Sequence, residues 1–469
     1  MEETKKSEKL AEKLLAKKKS AFEVLDAETL DCAMKYAEGY KDYLDSGKTE
    51  REITKSTEKI LREHGYTEYT IGDDLHAGGK YFYNNKGKNI YAFRIGSRPV
   101  SEGIRILAAH IDSPRLDLKQ NPLYEDSGIG YLKTHYYGGI RKYQWVTLPL
   151  ALHGTVILSD GTSVDVTIGE DAGDPVFCVT DLLPHLGRKQ SAEPLGTAFK
   201  GENLSILVAS APYMEDGEAV TDNGVKLSVM NYLFEKYGMT EEDFISAELC
   251  AVPAGKSVDV GLDRWMIGAY GHDDTVCAYP ALTALLESDD SENTVLCALV
   301  DKEETGSDGN TGMQSRLLCD IIDCIASAMG EKGAVVRAAS MCLSADVTAC
   351  YDPLYSDVFD KMNSAYASYG VAMSKYTGGG GKSSTNDASA ELVGYVRRVF
   401  AERGVLWQTA EMGKVDAGGG GTVAKYIANL NISAVDMGVP VLSMHAPFEL
   451  ISKADLYTAH LAFKAFCLA

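Results

Sequence analysis

The sequence predicts an α/β protein: a mixed sheet covered by helices, interrupted by a β-rich insertion. Two observations carry this. After about residue 245, strand-like apolar runs alternate with amphipathic segments to the end of the chain, the pattern of a sheet with helices on its faces. Between about residues 120 and 245 the alternation stops, and short strands and turns replace it. The 469 residues also exceed one ordinary domain. The expected division is 1–115 for the first part of the α/β domain, 116–245 for the insertion and 246–469 for the second part.

The elements follow in order. The first 65 residues read as helices: "SEKLAEKLLAKKKSAFEVL" and "DAETLDCAMKYAEGYKDYLDS" carry apolar residues at helical spacing. "GGKYFYNNKGKNIYAFRIGS" reads as strand, turn and strand. "IRILAA" (104–109) is a buried strand running into "HIDSPRLDLK". In the insertion, "TLPLALHGTVILSDGTSVDVTIG" reads as a hairpin around "SDGTS". Beyond it, helix "DTVCAYPALTALLES" precedes strand "NTVLCALV", and helix "TGMQSRLLCDIIDCIASAMG" precedes strand "AASMCLSAD". "ASAELVGYVRRVFAERG" leads to "VLWQT", "TVAKYIANL" to "NISAVDMG", and "VPVLSMH" precedes a last helix, "KADLYTAHLAFKAFCL". The glycine-rich stretches "TGGGGKSS" and "AGGGGT" lack the GxxxxGK[ST] spacing of a phosphate-binding loop.

Hydrophobic content is 45% and charged content 24%, which suits a globular protein with a large core. A net charge of −21 argues against nucleic acid or anionic membranes as partners. The ten cysteines include no CxxC pair and several sit in apolar runs, so free buried thiols are expected. No signal-peptide core and no run of about 18 apolar residues is seen, which makes the cytoplasm the expected location.

The chemistry sits where apolar strands end, the place where open α/β sheets bind ligands. "IRILAAHID" ends in His110 and Asp112, and "TVLCALVDKEE" in Asp301, Glu303 and Glu304. "IGAYGHDDTV" gives Asp273 and Asp274 at a helix start, "SMCLSADV" gives Asp346, and "VPVLSMHAP" gives His445. Singly, each has a bland reading: a core histidine, a helix N-cap, a turn, a solvated strand end. Together, all would have to fall at one end of one sheet. Desolvated like charges are costly, and two divalent cations compensate them economically. Imidazole and carboxylate suit Zn²⁺, with Mn²⁺ or Co²⁺ as relatives. Asp112, two residues from His110, is placed to fix the tautomer of that imidazole.

These residues resemble a known family. "AAHIDSPRLDLK", "HDDTVCAYPALTAL", "DKEETGSDG", "LSADVTA" and "DMGVPVLSMHAPFEL" are similar, in order and spacing, to the aspartyl aminopeptidase / aminopeptidase I family of metallopeptidases, and "THYYGGI" and "GGGGTVAKYIA" add to the likeness. The resemblance implies a fold of the dizinc exopeptidase type whose insertion is a dimerisation domain. It implies that Asp273 bridges two metals, that His110 and Asp346 complete one site, and that Glu304 and His445 complete the other. Glu303 would be the general base. Asp273 is favoured over Asp274 as the bridge. The implied partners are peptides with a free N-terminus and other copies of the chain, in a dodecamer built from dimers. In some relatives a histidine shortly after "PHL" reaches a neighbouring subunit's site. Here the segment is "LLPHLGRKQ", with His185 present and Lys189 near where that histidine would fall, so neither is assigned a catalytic role.

The strand "GVAMSKY" delivers Lys375, whose position matches a lysine that some relatives place at the substrate site. It would pair with an acidic first residue or with the peptide carbonyl. The "GGGG" run and Thr385 replace bulkier residues of the acid-specific relatives and favour neutral first residues as well. The readings left open beside an aminopeptidase are a dizinc carboxypeptidase or N-deacylase of related fold, and a non-catalytic assembly protein. N-acetylated peptides should be inert only for the aminopeptidase.

Overall fold

The computed structural model describes residues 6–469. Its centre is a nine-stranded mixed sheet. The strand Val295–Val300 pairs antiparallel with Asn89–Arg94 on one side and parallel with Arg105–His110 on the other. Met341–Ser344 runs parallel to Arg105–His110 and to Ser433–Gly438. Alternation along "VLCALV" sets the two cores, because successive side chains point to opposite faces. Val295, Cys297 and Leu299 pack under the helices Ala27–Leu44, His272–Leu286 and Lys453–Cys467. Leu296, Ala298 and Val300 pack under Leu317–Ala328 and Gly333–Ala339.

A six-stranded antiparallel sheet forms the β-rich part. It holds Arg115–Asp126, Ile129–Tyr137, the hairpin Leu150–Ile157 with Ser163–Ile168, Ile206–Ala209 and Glu248–Pro253. The last of these pairs with both Arg115–Asp126 and Leu150–Ile157. It has its own core around Trp145, Leu150, Ile206 and Phe244. A five-stranded sheet holds Val258–Val260, Met266–Ala269, Glu449–Ser452, Pro440–Leu442 and Thr348–Ala349; Met266–Ala269 leads into the helix His272–Leu286, and Glu449–Ser452 into Lys453–Cys467.

The first predicted helix is broken. Lys6–Leu14 is helical, then the chain is irregular until Ala21–Val24. Ser20 restarts it: its hydroxyl and backbone N–H both meet Glu23, a local capping arrangement that competes with a continuous helix. The helix predicted from Thr311 starts at Leu317.

Candidate metal centre

The parallel register aligns Val300 with His110, so two chains leave the sheet side by side. Lys302 takes a left-handed conformation, φ 73°. The turn aims the backbone N–H groups of Glu303 and Glu304 at the Asp112 carboxylate, at 3.1 and 3.2 Å. On the other flank Asp346 lies two residues past Met341–Ser344. Asp273 stands in the first turn of His272–Leu286, joined to Asp274 by a cis peptide. His445 follows Pro440–Leu442 on a loop, at φ 63°.

The strand-end residues converge into two groups that share one member. His110, Asp273 and Asp346 form the first, and Asp273, Glu304 and His445 the second; in each, one donor atom per residue lies within 4.8 Å of the others. Asp274 belongs to neither, and its carboxylate accepts from the His110 backbone N–H at 3.2 Å. The Glu303 carboxylate comes to 4.0 Å from His110 Nε2.

The tautomers follow from the partners. His445 Nδ1 lies 3.1 Å from the Gly139 carbonyl, and His110 Nδ1 lies 3.0 Å from the Asp112 carbonyl. Carbonyls only accept, so both Nδ1 atoms carry protons and both neutral rings offer an Nε2 lone pair. Those lone pairs face Asp273: Oδ1 at 3.1 Å from His110 and Oδ2 at 3.2 Å from His445. A lone pair facing a carboxylate requires a cation between them or a proton on the ring. Asp273 Oδ1 and Glu304 Oε1 are buried without a hydrogen-bond partner. This set of nitrogen and oxygen donors fits a pair of divalent ions, zinc among them.

The titration pattern expresses the same demand for positive charge. Burial pushes Glu304 and Asp346 well above the usual carboxylate range, and neighbouring aspartates add to it. Burial also lifts Glu303, to about 7, against the pull of His110. Burial would depress His445, but Asp273 and Glu304 outweigh it and raise the imidazole to about 10.

Two residues of the centre escape the list of strand ends. Buried Glu449 accepts the Asp273 N–H at Oε2 (3.0 Å) and the His445 N–H at Oε1 (2.6 Å). The Tyr137 hydroxyl donates to Asp112 Oδ2 at 2.8 Å. The signal for both was present, since each lies inside a stretch that carried the family likeness, "HAPFEL" and "THYYGGI". Lys375 belongs to neither group: it pairs with Asp387 at 3.4 Å and lines a groove with Tyr376, Arg397, Trp407 and Glu411.

Histidines and carboxylates gathered at the strand ends of a helix-covered sheet define the class as a metal-dependent hydrolase. The comparisons narrow it. The family described as "Aminopeptidase I zinc metalloprotease (M18)" matches residues 43–467. The probable M18 family aminopeptidase 1 of Clostridium acetobutylicum is 46% identical over 461 residues, covering 97% of this chain and 98% of that protein. Its counterpart in Thermotoga maritima is 44% identical over 439 residues, covering 92% and 95%. The crystal structure of aminopeptidase I from Clostridium acetobutylicum superposes with a TM-score of 0.91 at 44% identity, covering 97% of this chain and 100% of that one. That of the M18 aminopeptidase from Thermotoga maritima gives 0.90 at 42%, covering 96% and 99%.

The chain belongs to the M18 family of zinc aminopeptidases. It is a metal-dependent hydrolase that removes N-terminal residues from peptides, and its cofactor is zinc. The family likeness drawn from the sequence holds over nearly the whole chain, and the carboxypeptidase, N-deacylase and assembly-protein readings are not favoured. Among the described residues no helix is long and apolar enough to cross a membrane.

Proposed function

We propose that His110, Asp273 and Asp346 hold one zinc ion, that Asp273, Glu304 and His445 hold a second, and that Asp273 bridges them. The membership of Asp273 in both groups is the observation that carries this reading. Bound there, zinc supplies a Lewis acid for the scissile carbonyl and a water of lowered pKa. Glu303 is the general base: 4.0 Å from His110 Nε2 and outside both donor groups, it takes the proton of the attacking water and returns it to the leaving amine. Asp112 orients His110, and the acidic surroundings favour the α-ammonium of a free N-terminus over a blocked one. Glu303→Gln should keep its zinc and lose kcat by about 100-fold or more, whereas Glu304→Gln should lose zinc. Metal analysis beside kinetics checks this, and the reverse pattern would mean the two glutamates exchange roles.

Residues 116–245 act in this reading as the oligomerisation insert, building dimers into a larger closed assembly, a dodecamer. Its support is exposed apolar side chains: Val176, Leu182, Leu183, Leu186, Met214 and Phe234 are each about half exposed or more, surface that an assembly would cover. Light scattering at micromolar concentration should give a multiple of the 50.7 kDa chain mass; a monomer would refute the assembly. Lys375 is proposed as the residue that reads an acidic first side chain. To do so it must exchange Asp387 for the substrate carboxylate, so the preference for acid is shallow and neutral residues are accepted too.

A further inference from the structure

One strand of the β-rich sheet reaches the metal centre at its end. The strand Ile129–Tyr137 ends at Tyr137, and Gly138 and Gly139 follow. The Tyr137 hydroxyl donates to Asp112, which is fully buried and also accepts the N–H groups of Glu303 and Glu304. Asp112 Oδ1 lies 3.3 Å from His110 Nδ1. The tyrosine is itself fixed: the buried Arg115 guanidinium lies over its ring at 4.4 Å, and Glu50 and Asp117 hold that guanidinium at 2.7 and 2.8 Å.

The glycines serve the other half. Gly138 sits at φ 76°, where a Cβ would come within 3.2 Å of Glu304 Oε2. The Gly139 carbonyl accepts from His445 Nδ1, and a Cβ on Gly139 would stand 3.2 Å from that nitrogen.

We propose that Tyr137–Gly139 is a positioning element that the β-rich sheet supplies to both metal groups of its own chain. Tyr137 is the positioning residue for the first group, acting through Asp112, and Gly139 positions the second through His445. Without the Tyr137 hydroxyl, buried Asp112 Oδ2 keeps only the longer bond from the Glu304 N–H, at 3.2 Å, and is one donor short. Asp112 then no longer holds the His110 ring and the Glu303–Glu304 turn together. Partners one step removed from a metal are worth about 10- to 100-fold in affinity. The β-rich part is therefore a component of the catalytic centre in the same chain, in addition to any role between chains. This inference rests on the ligand assignment proposed above.

The experiment is zinc affinity by chelator competition on the full-length chain, with kcat, KM and the melting temperature of the zinc-free protein measured beside it. Tyr137→Phe should weaken zinc by about 10-fold or more and lower kcat with KM nearly unchanged, while the zinc-free melting temperature stays put. Gly139→Ala should weaken the zinc held by His445 and leave the other site alone. Tyr131→Phe, on the same strand but stacked on Tyr124, should change none of these. Wild-type zinc affinity and kcat in Tyr137→Phe, with His110→Ala losing zinc, would overturn the inference and leave the ligand assignment standing. A lowered melting temperature with unchanged zinc affinity would overturn it too, by making Tyr137 a structural residue only. Zinc retained in His110→Ala would overturn the assignment itself and the inference with it.

Discussion

The two halves of the centre are built differently. The side chain of His110 is 2% exposed and ends a strand paired on both flanks. That of His445 is 33% exposed and stands on a loop. The first is fixed by sheet register. The second is fixed by clamps: Glu449 on its backbone N–H and Gly139 on its ring. Sheet register is set by many ladder bonds and a buried pattern, so a slip would turn every side chain over. A clamp depends on one or two contacts and opens at smaller cost. The first group should therefore hold metal tightly, and the second should exchange it and face the substrate.

Breaking each half in turn tests that contrast. His110→Ala removes a buried partner of Asp273 and leaves charge uncompensated, which in buried pairs costs the equivalent of about 100- to 4,000-fold in binding. His445→Ala should cost less, because solvent reaches its place. Zinc titration of both variants checks the order. Equal losses would mean that burial does not set the difference between the sites.

A smaller effect is expected away from both halves. Lys375→Met should lower kcat/KM for Asp- and Glu-peptides selectively and leave Leu-peptides alone, and Asp387→Asn should raise the acidic preference by freeing the lysine. Shifts of a few-fold are expected, because both side chains are about half exposed and exposed pairs are worth at most about 1 kcal/mol. Equal loss on all substrates would give Lys375 a general role instead.

The contrast also explains what could be read from the sequence. The apolar run "VLCALV" and the polar residues at the strand ends made the sheet and a pool of candidate donors legible; the choice of His110, Asp273, Glu304, Asp346 and His445 from that pool came from the family resemblance. The sheet and the pool depend on local pattern and on parallel register. Tyr137 and Glu449 depend on how a second sheet and a distant strand pack onto the first, which no local pattern encodes. A single buried glutamate in "HAPFEL" reads as an ordinary strand residue until its two N–H partners are seen. The strand Val371–Ser374, which delivers Lys375, runs antiparallel to Ser433–Gly438, a relation that local pattern does not carry, so its end does not share the direction of the neighbouring parallel strands. The break at Ser20 was missed because helical spacing continues through a residue that prefers to cap.

The central claim is that one carboxylate serves both metals. Zinc equivalents per chain, measured after dialysis at trace free zinc, test it most directly in Asp273→Ala beside Asp274→Ala and wild type. The account predicts about two in wild type, fewer than one in Asp273→Ala, and at least partial retention in Asp274→Ala, whose carboxylate belongs to neither group and accepts the His110 backbone N–H. An Asp273→Ala protein that keeps both zinc ions at wild-type affinity would contradict it.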